Sequence, residues 1–143
     1  MTDLDSSLIS HVGIAVADLE RSIELYQKIT GQKVTSIVEV ADQKVKVAMF
    51  AAPSSARHPG GRIELVAATS PESPIARFIA RRGEGLHHIC VYVDDIEKRL
   101  KDLKASGVEL IDETPRVGAD GEKIAFVHPL STNGVLLELQ QKN

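Results

Sequence analysis

Aromatic residues and cysteines are scarce in this chain of 143 residues. Aromatics make up 3% of the sequence, tryptophan is absent, and Cys90 is the single cysteine. So few aromatic rings argue against a stacking platform for nucleic acid or carbohydrate, and a lone cysteine excludes an internal disulfide. Nothing in the sequence therefore requires an oxidising compartment, and we expect a cytoplasmic protein.

The sequence also lacks a strong charge bias and a long apolar run. The net charge is −3, and no basic stripe marks a surface for nucleic acid. No apolar run approaches the roughly 20 residues that span a bilayer, and the first ten residues are too polar for a signal peptide. We expect no membrane or nucleic-acid partner. With 43% hydrophobic and 26% charged residues, the composition is typical of a single globular domain over residues 1–143.

The order of predicted elements occurs twice along the chain. The first occurrence has a strand at residues 11–16 and a helix capped by Asp18 that ends at Gly31. Strands at residues 33–40, 44–51 and 62–67 follow it. A turn at residues 41–43 and a polar loop at residues 52–61 separate these strands.

The second occurrence begins after a linker and a short helix opened by Pro74. His88 aligns with His11 and Asp95 with Asp18, and the IEL of the fourth strand returns as LEL. We predict a strand that begins at His87, a helix with a capping box at Asp94-x-x-Glu97, and then strands at residues 108–111, 122–128 and 135–140.

This internal repeat predicts an α+β fold of two paired βαβββ modules that share one cleft. Module one covers about residues 9–68, the linker and short helix about 69–85, and module two about 86–140.

Strand alternation places one histidine and one glutamate of each module on the cleft side. In the first and last strands of each module, apolar residues occupy every second position, and we predict that these apolar side chains face the helix. The opposite positions hold His11, Glu64, His88 and Glu138. A strand histidine or glutamate commonly just faces solvent, but the same residue types recur at equivalent positions of both modules. Two imidazoles and two carboxylates favour a divalent ion such as Co²⁺, Mn²⁺, Ni²⁺ or Zn²⁺.

Beyond these ligands, several segments resemble the vicinal oxygen chelate superfamily, whose members include glyoxalase I and methylmalonyl-CoA epimerases. The segments are SPIARFIARRGEGLHHICVYVDDIE, GVELIDETPRVGADGEKIAFVHP and GVLLELQ, and the similarity runs over nearly the whole chain. The resemblance implies a glyoxalase-like fold, a homodimer and an acyl-CoA substrate. It also implies that the (2R) and (2S) epimers of methylmalonyl-CoA are interconverted through a metal-stabilised enolate.

Epimerisation requires a base on each face of the planar α-carbon. Some relatives carry a second catalytic glutamate in the third strand, where this chain has Val47. Our hypothesis is therefore that Glu138 and Glu64 are the two bases. Glu39 is a fallback, although its place before a turn favours solvent exposure.

Other polar residues near the predicted cleft give weaker signals. Arg116 and Lys123 flank a glycine-bearing loop and are candidates for binding CoA phosphates or the substrate carboxylate, although their positions favour ordinary solvated surface charge. The alternation predicts that His87 faces the helix side and has a supporting or packing role. His128 is interpreted as a turn residue, and Cys90 as a packing residue.

Three other functions fit the same fold. Glyoxalase I activity on a glutathione thiohemiacetal uses the same ligands and the same proton-transfer logic. A sequestering protein of the bleomycin-resistance kind binds its ligand without metal, and four retained ligands argue against it. An iron-dependent dioxygenase ordinarily uses two histidines and one carboxylate, so the fourth ligand argues against that reaction.

Overall fold

The computed structural model describes residues 8–50 and 61–142, which contain eight strands and three α-helices. The strands are β1 Ile9–Ala15, β2 Val34–Val40, β3 Val45–Phe50, β4 Arg62–Ala68, β5 Gly85–Val93, β6 Arg116–Val117, β7 Lys123–Val127 and β8 Leu137–Gln141. The helices are α1 Leu19–Thr30, α2 Pro74–Arg82 and α3 Ile96–Ala105. Most of the predicted loop at residues 52–61 lies outside the described residues.

All eight strands form one mixed sheet in the order β2-β3-β4-β1-β5-β8-β7-β6. Within each half the first and last strands run parallel, as β1 with β4 and β5 with β8. The two halves meet where β1 pairs antiparallel with β5. The repeated element order predicted from the sequence is therefore present, and the two halves form one continuous curled sheet.

The pairing of β1 with β5 has a local twofold symmetry. His11 lies opposite Cys90, and Gly13 lies opposite His88. The sequence repeat relates His11 to His88 and Gly13 to Cys90, so the two pairs exchange when the halves are interchanged. Equivalent side chains of both halves consequently approach each other across this central pair of strands.

The two faces of the sheet have different coverings. Helix α1 covers one face of the first half, where Ile23 packs on a cluster that contains Leu65, and α3 covers the same face of the second half. The opposite face, here called the cavity face, carries an apolar cluster that includes Val47 and Val66, and Ile75 of α2 packs on it. None of the helices in the described ranges combines the length and the apolar character needed to cross a bilayer.

Helices α1 and α3 are capped at positions that the sequence repeat aligns, Asp18 and Asp95, and not at the predicted Asp94. The carboxylate of Asp18 accepts a hydrogen bond from the Arg21 amide, and that of Asp95 accepts one from the Lys98 amide. The predicted cap at Asp94 was therefore wrong by one residue. Helix α1 ends at Thr30, and the next residue, Gly31, has a φ of 70°, a conformation that favours glycine.

The predicted strand at residues 108–111 is replaced by a single bridge between Leu110 and Val127. The carboxylate of Asp112 accepts a hydrogen bond from the Phe126 amide, a donor that a continuing strand would have used. Pairing with β7 resumes only at β6, which the sequence did not predict. After β6, Ala119 packs on the apolar cluster of the cavity face.

Candidate metal centre and active site

The four predicted metal ligands lie on four adjacent strands, β4, β1, β5 and β8, near the middle of the cavity face. Each side chain is at most 8% exposed. Buried ionisable groups of this kind require partners, because an unpaired charge away from water is costly. These four residues are His11, Glu64, His88 and Glu138.

Three of the four side chains converge on one point. Nε2 of His11 lies 3.1 Å from Nε2 of His88 and 3.2 Å from Oε1 of Glu138, and the His88–Glu138 distance is 3.1 Å. Ligands bound at about 2.1 Å and at right angles to one another lie about 3.0 Å apart. The three atoms thus have the spacing of one face of an octahedral site, and their chemistry fits a divalent ion.

Glu64 approaches this triad from the side. Its Oε2 lies 3.3 Å from Nδ1 of His11, the ring nitrogen that faces away from the triad. To join the triad as a fourth ligand, the Glu64 carboxylate would have to turn around the imidazole edge. The structure thus brings all four residues together but leaves Glu64 apart from the three converging atoms.

The two glutamates have opposite pKa shifts. Burial by itself raises the pKa of Glu138, but the hydrogen bonds from His11 and His88 and the charges of both rings together outweigh burial and lower this pKa to about 2. Burial raises the pKa of Glu64, and although the charge of His11 opposes this shift, the charge of Glu138 adds to it and the pKa stays above its ordinary value. Glu64 is therefore the stronger base of the two, while Glu138 remains an anion over the whole neutral range.

The two carboxylates also shift the pKa of His11. Burial lowers its pKa, but the hydrogen bond to Glu138 and the charges of Glu64 and Glu138 together raise it above its ordinary value. The metal-free site thus favours a proton on His11. A divalent cation that replaced this proton would meet the same negative surroundings.

Cys90 lies beside the triad, with its sulfur within 4.8 Å of ligand atoms of His11 and Glu138. Burial, followed by the charges of Glu138 and Glu64, raises the pKa of this thiol far above its ordinary value. A neutral thiol is a poor metal ligand and a poor nucleophile. The packing role predicted for Cys90 agrees with this environment.

The imidazole of His88 lies directly on Gly13 of the neighbouring strand. A Cβ atom at position 13 would lie 2.0 Å from Cε1 of His88, far inside van der Waals contact. Only a residue without a side chain fits under this ring. Gly13 therefore helps to set the position of His88.

His87 lies on the cavity side, so the predicted helix-facing orientation was wrong. The pairing of β5 with β1 shifts register between His88 and Leu86, and this irregularity breaks the alternation at His87. Nδ1 of His87 lies 2.9 Å from Nδ1 of His88, and its ring contacts Phe78 edge-on. Burial, followed by the charge of His88, lowers the pKa of His87 to about 4, so this neutral ring supports His88.

A cavity of about 380 Å³ opens above the triad and has mostly apolar walls. Its size suits a small-molecule ligand. Val47 lines one wall and brings no carboxylate to it. Glu39 is exposed, whereas its neighbours Val38 and Val40 pack towards the cavity face, so Glu39 does not reach the site.

The two cationic candidates lie in different places. Arg116 lines the cavity, with its guanidinium 5.4 Å from the Phe126 ring and 3.5 Å from Asp112. Lys123 is exposed, pairs with Glu97 of α3 at 2.8 Å, and is not among the residues that line the cavity. His128 accepts a hydrogen bond from the Leu130 amide in a turn, as predicted.

Sequence reasoning missed the polar residues behind His11. Ser10 contacts Nδ1 of His11 at 3.0 Å and donates a hydrogen bond to Gln140 at 2.9 Å. Gln140 lies two residues after Glu138 in β8 and therefore on the same face of the strand, so strand alternation could have placed Gln140 near the site. No sequence signal links Gln140 with Ser10, because 130 residues separate the two.

Several known proteins are similar to this chain. A model described as "Glyoxalase/Bleomycin resistance protein/Dioxygenase superfamily" matches residues 10–126. The Dictyostelium discoideum protein named "Methylmalonyl-CoA epimerase, mitochondrial" is 37% identical over 135 residues, which cover 94% of this chain and 78% of the relative. The "Ethylmalonyl-CoA/methylmalonyl-CoA epimerase" of Cereibacter sphaeroides is 35% identical, with 93% and 96% covered.

A solved structure described as methylmalonyl-CoA epimerase in complex with methylmalonyl-CoA and NH4+ has a closely similar fold. Its TM-score is 0.88 at 31% sequence identity, with 96% of this chain and 95% of that chain covered.

Proposed function

This chain belongs to the glyoxalase/bleomycin resistance protein/dioxygenase superfamily, and we propose that it is a metal-dependent epimerase that interconverts (2R)- and (2S)-methylmalonyl-CoA. The observation that carries the proposal is the convergence of His11, His88 and Glu138 beneath a cavity, with Glu64 beside them. The names of the relatives support the choice of reaction and of an acyl-CoA substrate.

The donor atoms supply a binding site for a divalent ion. We propose His11, Glu64, His88 and Glu138 as its ligands, with Co²⁺, Mn²⁺, Ni²⁺ or Zn²⁺ as candidate ions. When bound, the ion would supply Lewis-acid stabilisation of the negative charge that develops as the substrate loses its α-proton.

Glu138 and Glu64 are the proposed bases. One removes the α-proton from one face of the substrate, and the conjugate acid of the other returns a proton to the opposite face. Glu64 suits this role because it stands apart from the triad and burial raises its pKa. Glu138 has the weaker basicity while both imidazoles hold it, so its turnover requires that these contacts loosen.

The cavity supplies the contacts that orient the substrate. Arg116 presents a cation beside Phe126 at the wall of the cavity, where the carboxylate of a malonyl thioester or a CoA phosphate could bind. Val47 and Val66 offer apolar surface for the alkyl branch at the α-carbon. A homodimer remains a prediction from the resemblance.

A coupled epimerase assay with methylmalonyl-CoA tests the proposal directly. The purified protein is assayed before chelation, after chelation, and after each candidate ion is added back. We expect activity to vanish on chelation and to return with at least one ion. Activity with methylglyoxal and glutathione but none with methylmalonyl-CoA would indicate glyoxalase I instead. Absence of both activities, with no bound ion, would indicate a sequestering protein.

Exchange of the substrate α-proton with deuterated water tests the two bases separately. We expect the Glu64→Gln and Glu138→Gln variants each to lose epimerisation by about 10²–10⁴-fold, the usual contribution of a general base. Glu64→Gln is also expected to block deuterium incorporation from one epimer more than from the other. Wild-type exchange and epimerisation in both variants would refute the assignment.

A further inference from the structure

A chain of hydrogen bonds leads from the cavity wall to the back of His11. Nε2 of Gln140 donates to Oδ2 of Asp120 at 2.8 Å. Oγ of Ser10 donates to Oε1 of Gln140 at 2.9 Å, and the same Oγ lies 3.0 Å from Nδ1 of His11. Ser10, Gln140 and His11 are at most 4% exposed, so water does not compete with these contacts.

The direction of this chain follows from the chemistry of its first member. An ionised Asp120 carboxylate only accepts hydrogen bonds, so it must face the NH₂ group of Gln140. The amide oxygen of Gln140 then faces inward and accepts the hydroxyl hydrogen of Ser10. With its only hydrogen used, Ser10 has just acceptor capacity left for the imidazole of His11.

Two further contacts around Ser10 and His11 agree with this direction. Nη2 of Arg62 donates to Oγ of Ser10 at 3.4 Å, which fills the second acceptor position of the hydroxyl. Oε2 of Glu64 lies 3.3 Å from the same Nδ1, and as an ionised carboxylate it accepts as well. Because the hydrogen of Ser10 is donated to Gln140, the contact between Ser10 and Nδ1 requires a hydrogen on that ring nitrogen.

We propose that Asp120, Gln140 and Ser10 form a directed hydrogen-bond chain that holds a hydrogen on Nδ1 of His11 and leaves the lone pair of Nε2 for the metal. These three are positioning residues, since they act on the metal only through His11. The proposal rests on the metal site of the proposed function. Partners that fix the tautomer of a metal-binding histidine raise metal affinity and keep the ring in place.

The hydrogen-bond chain also connects His11 with a loop over the cavity. Asp120 belongs to the segment of residues 118–122 between β6 and β7, and its neighbour Ala119 packs on the apolar cluster of the first half. Residues 118–120 line the cavity. The loop that borders the cavity is thus joined through two buried side chains to a proposed metal ligand.

The affinity for Zn²⁺, measured by competition with a chromophoric chelator, tests the hydrogen-bond chain and requires no substrate. We expect Ser10→Ala and Gln140→Met each to weaken Zn²⁺ binding by about 10–100-fold. Ser10→Thr keeps the hydroxyl and should restore nearly wild-type affinity, while Ser36→Ala on the exposed side of β2 is the control for serine loss. The double variant should bind no more weakly than the worse single variant, because both break the same chain.

A second readout reports on the Nδ1 hydrogen itself. In the Co²⁺-loaded protein, the NH hydrogens of bound imidazoles give shifted, solvent-exchangeable NMR signals. We expect the His11 signal to exchange slowly in the wild type and faster in Ser10→Ala, with the His88 signal unchanged. A purely structural defect would disturb both signals together.

The Asp120→Ala variant distinguishes loss of the hydrogen-bond chain from a folding defect, because Asp120 is exposed and its removal leaves the core intact. Weaker Zn²⁺ binding in this variant supports the chain. Unchanged affinity in all three single variants, or additive losses in the double variant, would overturn it. A wild-type protein that binds Zn²⁺ but does not epimerise methylmalonyl-CoA would overturn only the proposed reaction, and a wild type that binds no divalent ion would overturn both.

Discussion

Replacing Gly13 by alanine tests the metal centre without altering any proposed ligand. In the structure, His88 lies flat against Gly13, and a Cβ atom there would be 2.0 Å from Cε1, 2.4 Å from Nδ1 and 2.5 Å from Nε2. Ordinary contacts between such atoms are about 3.5–4.0 Å, so the His88 ring must retreat by about 1.5 Å. The backbone φ of Gly13 is not positive, so the methyl group itself is the perturbation.

The expected magnitude follows from the tolerance of a metal site. Ligand atoms must lie within about 0.2 Å of their ideal distances, so the required shift removes His88 from the triad. We expect a fall in epimerase activity of about 100-fold or more, together with weaker Zn²⁺ binding. Overpacking should also lower the free energy of unfolding of the metal-free protein by about 1–3 kcal/mol.

Isothermal titration with Zn²⁺, thermal unfolding after chelation and the epimerase assay together measure these effects. Gly118→Ala is the matched control, because its Cβ would meet a movable methyl of Ile124 at 3.0 Å. We expect that control to keep Zn²⁺ affinity within about threefold of the wild type. If Gly13→Ala binds Zn²⁺ and unfolds like the wild type, His88 does not occupy the place described here.

Four further substitutions distinguish the residues around the cavity. Arg116→Ala should raise KM for the acyl-CoA by about 10–100-fold, the value of a hydrogen bond to a charged group. Lys123→Ala removes only an exposed pair with Glu97, so KM should change by less than about twofold. Cys90→Ala should keep Zn²⁺ affinity and most of the activity, because a neutral buried thiol is neither ligand nor nucleophile, and loss of either would refute the packing role. Burial lowers the pKa of His87 from 6.5 to about 4, so its stabilising contribution is present above pH 6.5 and is lost as the pH falls through 4. In metal-free protein, urea unfolding of His87→Phe should lack this loss, which amounts to about 3 kcal/mol in the wild type.

Local patterns in the sequence predicted most of the elements correctly. Asp18 caps α1 and Gly31 ends it, because a cap depends on residues within one turn of the helix. The cap of α3 was misplaced by one residue although the repeat already aligned Asp95 with Asp18. The failure at residues 108–111 has a different cause, since the Asp112 carboxylate that interrupts the strand binds the Phe126 amide from across the hairpin.

Alternation along the strands predicted which side chains face the cavity, and the register irregularity in β5 marks where this reasoning ends. Glu64 and Glu138 obey the alternation and lie at the site. His87 does not, because an irregular pairing between β1 and β5 breaks the two-residue period. No residue type in the segment LHHI, residues 86–89, distinguishes an irregular strand from a regular one.

The sequence by itself determined the repeated modules and the strand positions of His11, Glu64, His88 and Glu138, because both depend on periods of a few residues. The tertiary structure alone decided that three of these side chains converge while Glu64 stands beside the imidazole edge. It alone joined Ser10 with Gln140. Distances between side chains on different strands depend on sheet twist, register and the paths of loops, and these are set by packing over the whole domain.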